Sequence, residues 1–350
     1  MIPYAIAITL SFLACWITTS KKLSLKTSMA TRVVLISLPL FVISALRFNV
    51  GTDYVNYVSI LQRLKYEEYY KYYGSKELEP LYMLLNYIIL YLNLDAQWLF
   101  VVTSAIYTTV VVYVIVKYSR NQYLSIFLLF GSTAFFEQMN TMRAHVAYAI
   151  LLIGLINLLK GKKRRYIVLC IIAGLFHYSS FVFLIVMFVT DRSFTPRIAI
   201  ALVAGCAMFS FVLVNVANRI IQLSTYSIYL ERLDVSGGGV AGILIQLLIF
   251  VVMTIFYQNK NTEYKVLYLL ETINFIITLF IGSIPLIARM RWVFYYPVLL
   301  LGLPAVVSSI RKTHTRLLIT SGLIIGYAVY MYITIVINRG YGVYPYQWIL

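Results

Sequence analysis

Long apolar runs separated by short polar stretches dominate the chain. A helix needs about 20 apolar residues to cross the hydrocarbon core of a bilayer. Runs that approach this length cover 3–19, 31–47, 98–116, 197–217, 266–286, 292–310 and 317–337. Shorter or irregular apolar segments cover 80–93, 123–137, 144–160, 166–190 and 242–257. The pattern predicts an all-α fold, a polytopic transmembrane helix bundle with roughly 11–13 membrane segments, forming a single integral membrane domain over residues 1–350.

Composition narrows the class of protein further. Hydrophobic residues make up 61% of the chain and charged residues 12%, against about 25% charged residues in ordinary soluble proteins. A net charge of +17 would favour a nucleic-acid partner in a soluble protein. Here the basic residues lie mostly in short loops between apolar runs, which is the orientation signal of a membrane protein. We therefore expect no nucleic-acid partner, and the lack of a basic region at the start predicts no cleaved signal peptide.

The basic loops set the predicted orientation, because Lys and Arg concentrate on the cytoplasmic side of a membrane. Three clusters mark cytoplasmic loops, at Lys21 to Arg32, Lys160 to Arg165 and Arg311 to Arg316. Segments 47–79 and 218–241 then become extracytoplasmic loops.

Counting the crossings between these loops makes two further predictions. Segment 80–93 becomes a re-entrant or interfacial piece on the outer side, because a crossing there would break the alternation. Segment 166–190 becomes a short helical hairpin, interrupted at the His-Tyr-Ser-Ser sequence that begins at His177. The same count places His177, Arg289 and Arg291 towards the outer face.

Charged residues within or beside apolar runs are costly in a membrane and are usually functional. The predicted topology collects such residues on the outer side: Arg47, Asp53, Glu79, Glu137, Arg143, His145, His177, Arg289 and Arg291. Interfacial residues that extend towards the headgroups, or structural ion pairs, would produce the same composition. The convergence on one leaflet is more informative than any single member of the set.

The densest cluster is Arg-Phe-Asn-Val-Gly-Thr-Asp-Tyr, which runs from Arg47 to Tyr54. One interpretation is a helix end, a turn at Asn49 and Gly51, and a helix start capped by Thr52 or Asp53. The other is an anion-binding arginine and a carboxylate held a short distance apart. The spacing alone favours neither.

This cluster resembles the signature of the EpsG family, which are Wzy-like polymerases of bacterial exopolysaccharide, capsule and O-antigen. The resemblance continues along nearly the whole chain, at Tyr57, Glu79-Pro80-Leu81, Arg143, His177-Tyr178-Ser179 and the arginines before Tyr295. One position departs from the family pattern. The family usually has Arg-Gln, whereas this chain has Arg143 followed by Ala144. Any role of that amide is absent here or supplied elsewhere.

The resemblance implies a substrate, a reaction and a compartment. The substrate is an oligosaccharide repeat unit carried on polyprenyl diphosphate, and the growing chain is transferred to a hydroxyl of the next unit. The reaction takes place on the outer face of the bacterial inner membrane. A chain-length regulator and a flippase of the same pathway are candidate partners, besides the lipid bilayer. Sugar binding is expected of Tyr54, Tyr57 and Tyr295, because aromatic rings stack on the apolar face of a pyranose.

The charged residues suit this chemistry by themselves. Guanidinium groups match phosphate in a bidentate manner and stay charged, so we expect the diphosphate to be bound by Arg47, Arg143, Arg289 and Arg291. Arg289 and Arg291 are two residues apart, so an unbroken helix would not turn both to one face. A carboxylate or imidazole must deprotonate the attacking hydroxyl. Our first choice is Asp53, and the other candidates are Glu79, Glu137 and His177.

No metal and no cofactor are predicted, because the chain has neither an Asp-x-Asp pair nor two histidines spaced as zinc ligands. Three alternative functions remain open. A glycan ligase would use the same donor with a different acceptor, and a lipid-linked oligosaccharide flippase or other transporter would move it. An acyltransferase of surface glycans would rely on His177.

Overall fold

A computed structural model describes residues 1–20, 27–66, 78–189, 194–223, 240–258, 261–284 and 287–349. Helices dominate these ranges, as the apolar runs predict. In chain order they are α1 (Ile2–Thr19), α2 (Met29–Ala45), α3 (Tyr54–Tyr66), α4 (Pro80–Tyr91), α5 (Gln97–Tyr118), α6 (Gln122–Gly131), α7 (Ala134–Glu137), α8 (Met142–Leu159), α9 (Lys163–Phe176), α10 (Tyr178–Val189), α11 (Pro196–Met208), α12 (Ser210–Gln222), α13 (Val240–Ile255), α14 (Thr262–Leu279), α15 (Ile287–Ser309) and α16 (Thr313–Ile337).

Five of the described helices are long and apolar enough to cross a membrane by themselves: α1, α5, α8, α15 and α16. The pair α11 and α12 forms a sixth candidate span, bent by 71° at Phe209. Five shorter apolar helices among the described residues lie over further predicted segments: α2, α4, α6, α10 and α13. Helix α14, which lies over the segment predicted at 266–286, is in neither group. The all-α polytopic bundle is therefore confirmed, although the straight span predicted over 197–217 is bent.

Burial separates the inner helices from the outer ones. Among the apolar stretches, 83% of α15 and 72% of α8 is buried, whereas only 17% of α16 is buried. Helix α8 packs against α5 and α9, and α15 packs against α8 and α14. The inner helices therefore hold their polar side chains inside the bundle, away from its outer surface. A functional site can form among these inner side chains.

The two irregular segments have the predicted local character. Helix α4 has 12 residues, which corresponds to about 18 Å, well short of a bilayer core. Helix α9 ends at Phe176, and His177 is extended. The next helix then turns back along α9, since the Tyr166 hydroxyl donates to the Phe183 carbonyl. The described part of this segment, residues 166–189, is thus a helical hairpin with His177 at its tip.

Short interruptions divide a third apolar run. The run 123–137 looked continuous, yet α6 ends at Gly131 and α7 begins at Ala134. Thr133 between them has a φ of 69°, a left-handed conformation that a helix interior cannot contain. This break directs Glu137 into the bundle interior.

The predicted extracytoplasmic loops are described only in part. Helix α3 lies within the loop predicted at 47–79, and residues 67–77 lie outside the described ranges. Helix α12 extends to Gln222 and α13 begins at Val240, so most of the loop predicted at 218–241 lies outside them.

The C-terminal segment is built against the loop from Arg47 to Asp53. Backbone N–H groups of Gly51 and Thr52 donate to the carbonyls of Gly342 and Tyr341, each at 3.0 Å. An isolated antiparallel bridge also joins Arg47 to Trp348. Residues separated by almost the full chain length thus define one structural unit beside the site.

Replacing Gly51 with alanine should lower the free energy of unfolding by about 1–3 kcal/mol. Gly51 has a φ of +103°, and a Cβ there would lie 2.8 Å from Asn140 Oδ1 and 2.9 Å from the Met139 carbonyl oxygen. Thermal unfolding of the purified protein in detergent measures the change. Gly205→Ala is the control, because a Cβ at Gly205 meets nothing within 4 Å; equal stability of the two variants would contradict the prediction.

Candidate active site

A polar cleft opens where the break after α6, the start of α8 and the start of α15 meet. Its empty volume is about 420 Å³, which includes the solvent space at its open mouth. The lining residues are Asp53, Tyr57, Glu137, Thr141, Arg143, Ala144, Tyr148, His177 and Arg289. Most of the charged residues singled out in the sequence therefore meet in one place, although they come from five separate stretches of chain.

The loop before α3 positions Asp53. Asn49 and Gly51 both have positive φ values, of 50° and 103°, and these turn the chain sharply between α2 and α3. Helix α3 then begins, and the N–H of Tyr57 donates to the Asp53 carbonyl at 3.1 Å. Burial raises the pKa of the Asp53 carboxyl, opposed by the charges of Arg289 and Arg143.

Glu79 is not itself a lining residue but contacts two residues that line the cleft. Its Oε2 lies 2.5 Å from Arg143 Nη1, and its Oε1 lies 2.9 Å from His177 Nδ1. Burial alone would raise the pKa of Glu79, but the hydrogen bond with His177 and the charge of Arg143 hold it below its usual value. Because both oxygens are engaged, Glu79 is suited to orienting Arg143 and His177 rather than to accepting a proton.

Glu137 ends the short helix α7 and lines the same cleft. Its Oε2 accepts a hydrogen bond of 3.1 Å from the Tyr341 hydroxyl. Burial raises the pKa of Glu137 to about 7, against the lowering effects of the Arg291 charge and of the Tyr341 hydrogen bond. A carboxyl with a pKa near the ambient pH is well matched to general base or acid work.

Helix α15 carries two arginines to two different places. Arg289 lines the cleft, and the Tyr148 hydroxyl of α8 donates to its carbonyl at 2.8 Å. Arg291 lines a second cavity, together with Tyr295. The helix is regular over these two arginines and turns them to different cavities, and Arg289 is the one that lines the cleft with Asp53.

Two of the predicted site residues have structural surroundings instead. Arg47 is fully buried and donates to the carbonyls of Ser44 at 2.6 Å and Met139 at 3.1 Å. Its guanidinium also lies over the ring of Phe100. We therefore revise its role from diphosphate binding to joining the site loop to residue 139. Tyr54 stacks on Phe100 with ring centroids 4.4 Å apart and does not line the cleft.

Sequence reasoning missed three participants. Tyr148 and Thr141 line the cleft, and Tyr341 holds Glu137. Tyr148 lies one helical turn beyond Ala144 and thus on the same face of α8, so the helical period could have revealed it. Nothing in the local sequence of Tyr341 points to a partner 204 residues away.

The chain matches a known protein family. The model of the EpsG family matches residues 31–348, nearly the whole chain. No curated protein and no solved structure matches.

Proposed function

We propose that this chain, which belongs to the EpsG family of Wzy-like polysaccharide polymerases, joins polyprenyl-diphosphate-linked oligosaccharide repeat units. The observation that carries the proposal is the meeting of Arg143 and Arg289 with Asp53 and Glu137 in one cleft. The multi-pass helical fold fits a substrate anchored in the bilayer. The reaction takes place at the outer face of the bacterial inner membrane, a placement that the basic loops support.

The two arginines are suited to bind the leaving group. A lipid diphosphate is an anion, and guanidinium groups bind phosphate oxygens through two parallel hydrogen bonds. Arg143 is held in place by Glu79 and lies over the ring of Tyr82, 5.1 Å from its centroid. Arg289 is exposed at the start of α15, where it can reach the membrane surface. Together they stabilise the charge that develops as the glycosyl bond breaks.

The base must lie on the other side of the anomeric carbon in a direct displacement, because nucleophile and leaving group are in line. The charges of Arg289 and Arg143 stabilise the Asp53 carboxylate, so we assign Asp53 to the diphosphate side. The Glu137 carboxylate interacts instead with Arg291. We therefore move the role of general base from Asp53, our first choice from the sequence, to Glu137. Asp53 then positions the two arginines.

The transfer forms one glycosidic bond and breaks one bond to the lipid diphosphate. The acceptor hydroxyl oxygen bonds to the anomeric carbon of the donor chain, and its proton passes to Glu137. The bond between that carbon and the diphosphate oxygen breaks, and the lipid diphosphate leaves against Arg143 and Arg289. His177 is oriented by Glu79 and faces the same cleft, where it can donate a hydrogen bond to the departing phosphate.

Purified protein with a defined lipid-linked repeat unit tests the function. A ladder of products that differ by one repeat unit is the expected result. A single transfer to an unrelated acceptor without a ladder would favour the ligase. Movement of the unit across a vesicle membrane without any new glycosidic bond would favour the transporter.

Tyr341→Phe should reduce the rate about three-fold at pH 7 and about five-fold well below it, since a hydrogen bond contributes on the order of 1 kcal/mol, which is about 0.7 in the pKa of Glu137. The Tyr341 hydroxyl stabilises the ionised form of Glu137, so its loss raises the pKa of Glu137. The acidic limb of the pH–rate profile should move to higher pH, and the rate at high pH should recover. A uniform loss at every pH would indicate that Tyr341 acts only on folding. Tyr332→Phe, at an exposed position of α16, is the matched control.

A further inference from the structure

A fully buried histidine lies next to the wall of the cleft, and the mechanism above gives it no role. His145 is near the start of α8 and has no exposed surface. A polar ring buried among aromatic side chains is costly unless its nitrogens are hydrogen-bonded, so its hydrogen bonds indicate its role. Four aromatic rings surround the imidazole, with centroids 5.2, 5.6, 5.8 and 6.2 Å away, and they belong to Tyr148, Tyr296, Tyr107 and Trp292.

Thr141, one helical turn before His145, supplies its hydrogen-bond partners. His145 Nδ1 lies 3.0 Å from the Thr141 hydroxyl oxygen and 3.1 Å from the Thr141 carbonyl oxygen. We assign the imidazole proton to Nδ1, because a carbonyl oxygen can only accept a hydrogen bond. His145 Nε2 is buried and has no hydrogen-bond partner among the described residues. An apolar residue would avoid the cost of that unpaired nitrogen, so packing alone does not account for a histidine here.

The Thr141 hydroxyl connects this histidine to the cleft. Thr141 is one of the residues that line the cleft. Its hydroxyl donates to the Glu137 carbonyl at 3.3 Å, and its backbone N–H donates to the same oxygen at 2.9 Å. A hydroxyl has one proton and two lone pairs. Glu137 takes the proton and His145 takes one lone pair, so the second lone pair is left for a donor that enters the cleft.

A hydroxyl of the acceptor sugar is the donor that fits this position. Thr141 and Glu137 line the same cleft, and the hydrogen bonds to the Glu137 carbonyl fix the Thr141 hydroxyl beside that residue. In the proposed mechanism Glu137 takes the proton of the attacking hydroxyl. The same sugar ring carries further hydroxyls on neighbouring carbons, and each of them can donate. A diphosphate offers oxygens that accept hydrogen bonds, so it suits the arginines and not this lone pair.

We propose that the Thr141 hydroxyl accepts a hydrogen bond from a second hydroxyl of the acceptor sugar, on a carbon next to the one that carries the attacking hydroxyl. His145 is a positioning residue, which holds the Thr141 oxygen in place without touching the substrate. This inference rests on the proposed polymerase function. Glu137 and Thr141 together then select an acceptor sugar with two neighbouring hydroxyls in the matching geometry.

Lipid-linked repeat units that lack one hydroxyl of the terminal sugar test the contact, because this change leaves the diphosphate unaltered. The unsubstituted protein should extend a deoxy unit that lacks the hydroxyl next to the attacking one about five-fold more slowly than the full unit, as expected for one hydrogen bond. Thr141→Val should slow the full unit by a similar factor and lose this discrimination. Thr141→Ser keeps the hydroxyl and should retain it. A discrimination that persists undiminished in Thr141→Val would overturn the proposal.

Substitutions of His145 separate positioning from packing. His145→Phe removes the donor and should weaken the discrimination against the deoxy unit, and His145→Asn should restore part of it, because its amide can donate from about the place of Nδ1. In Thr141→Val, the further change His145→Phe should cost no additional rate, since the hydroxyl that His145 holds is gone. An equal loss from His145→Phe with and without that hydroxyl would overturn the positioning role. The Thr141 variants decide the sugar contact even if His145→Phe does not fold.

The same product ladders separate this inference from the function. The expected result is a discrimination that Thr141→Val loses and that Arg316→Ala, an exposed position of α16, keeps. Ladders of equal yield from the full unit and from every deoxy unit that keeps the attacking hydroxyl would overturn the Thr141 contact and leave the polymerase intact. The absence of any ladder from the full unit would overturn the polymerase.

Discussion

Arg143→Ala should reduce polymerisation by about 100-fold or more, the usual cost of losing a group that stabilises charge in the transition state. The variant loses a contact with the departing diphosphate. It also leaves Glu79, buried with its Oε2 2.5 Å from Arg143, without its positive partner. The measurement is the yield and length of polymer made by membranes that contain equal amounts of protein.

Two control variants test whether the loss of activity is specific to the guanidinium of Arg143. Arg143→Lys keeps the charge but not the planar fork, so it should retain intermediate activity if bidentate binding matters. Arg316→Ala removes an arginine that is exposed in α16 and should leave chain length unchanged. Long chains of undiminished yield from Arg143→Ala would exclude this residue from the mechanism.

The membrane fold follows from the sequence because long apolar runs have few alternatives in a bilayer. The breaks in those runs do not follow, because apolar residues on both sides of a break look alike. Phe209, where α11 and α12 meet at 71°, carries no signal of a bend. Thr133 carries none either, yet its left-handed backbone decides where Glu137 points.

The sequence predicts which charged residues belong to the site, but it does not predict how their side chains are arranged. The cost of ionisable groups near apolar runs predicts Asp53, Arg143 and Arg289 as site residues, and these three meet in the cleft. The same reasoning cannot distinguish an arginine that faces a cavity from one that binds backbone carbonyls, which is the environment of Arg47. The helical period predicts that Arg289 and Arg291 face different directions. The second cavity could not be predicted in this way, because α13 and α16 supply part of its lining.

Ala144 shows how a local departure can be interpreted once the fold is known. It lines the cleft next to Arg143, so a glutamine at this position would project towards the substrate. Thr141, one turn before, also lines the cleft, and its hydroxyl lies 3.0 Å from His145 Nδ1. Thr141 and Tyr148 therefore give this wall polar groups without an amide at position 144.

Glu137→Gln should have the largest effect of any single substitution in the cleft, a fall in rate of about 10²–10⁴-fold, because it removes the general base while keeping the shape of the side chain. The pKa of Glu137 is raised to about 7 by burial. A base works in its ionised form, so the rate of the unsubstituted protein should fall as the pH drops below about 7. The residual rate of Glu137→Gln should not show this acidic limb.

Asp53→Asn is the matched substitution, because it removes a carboxylate from the same cleft. It should lower the rate at every pH, since in the proposed mechanism the charge of Asp53 supports those of Arg143 and Arg289, and it should leave the acidic limb in place. The opposite pattern, in which Asp53→Asn abolishes the limb and Glu137→Gln retains it, would return the role of base to Asp53. The comparison decides which carboxylate accepts the proton, because two groups that share a cleft but face different arginines titrate in different electrostatic surroundings.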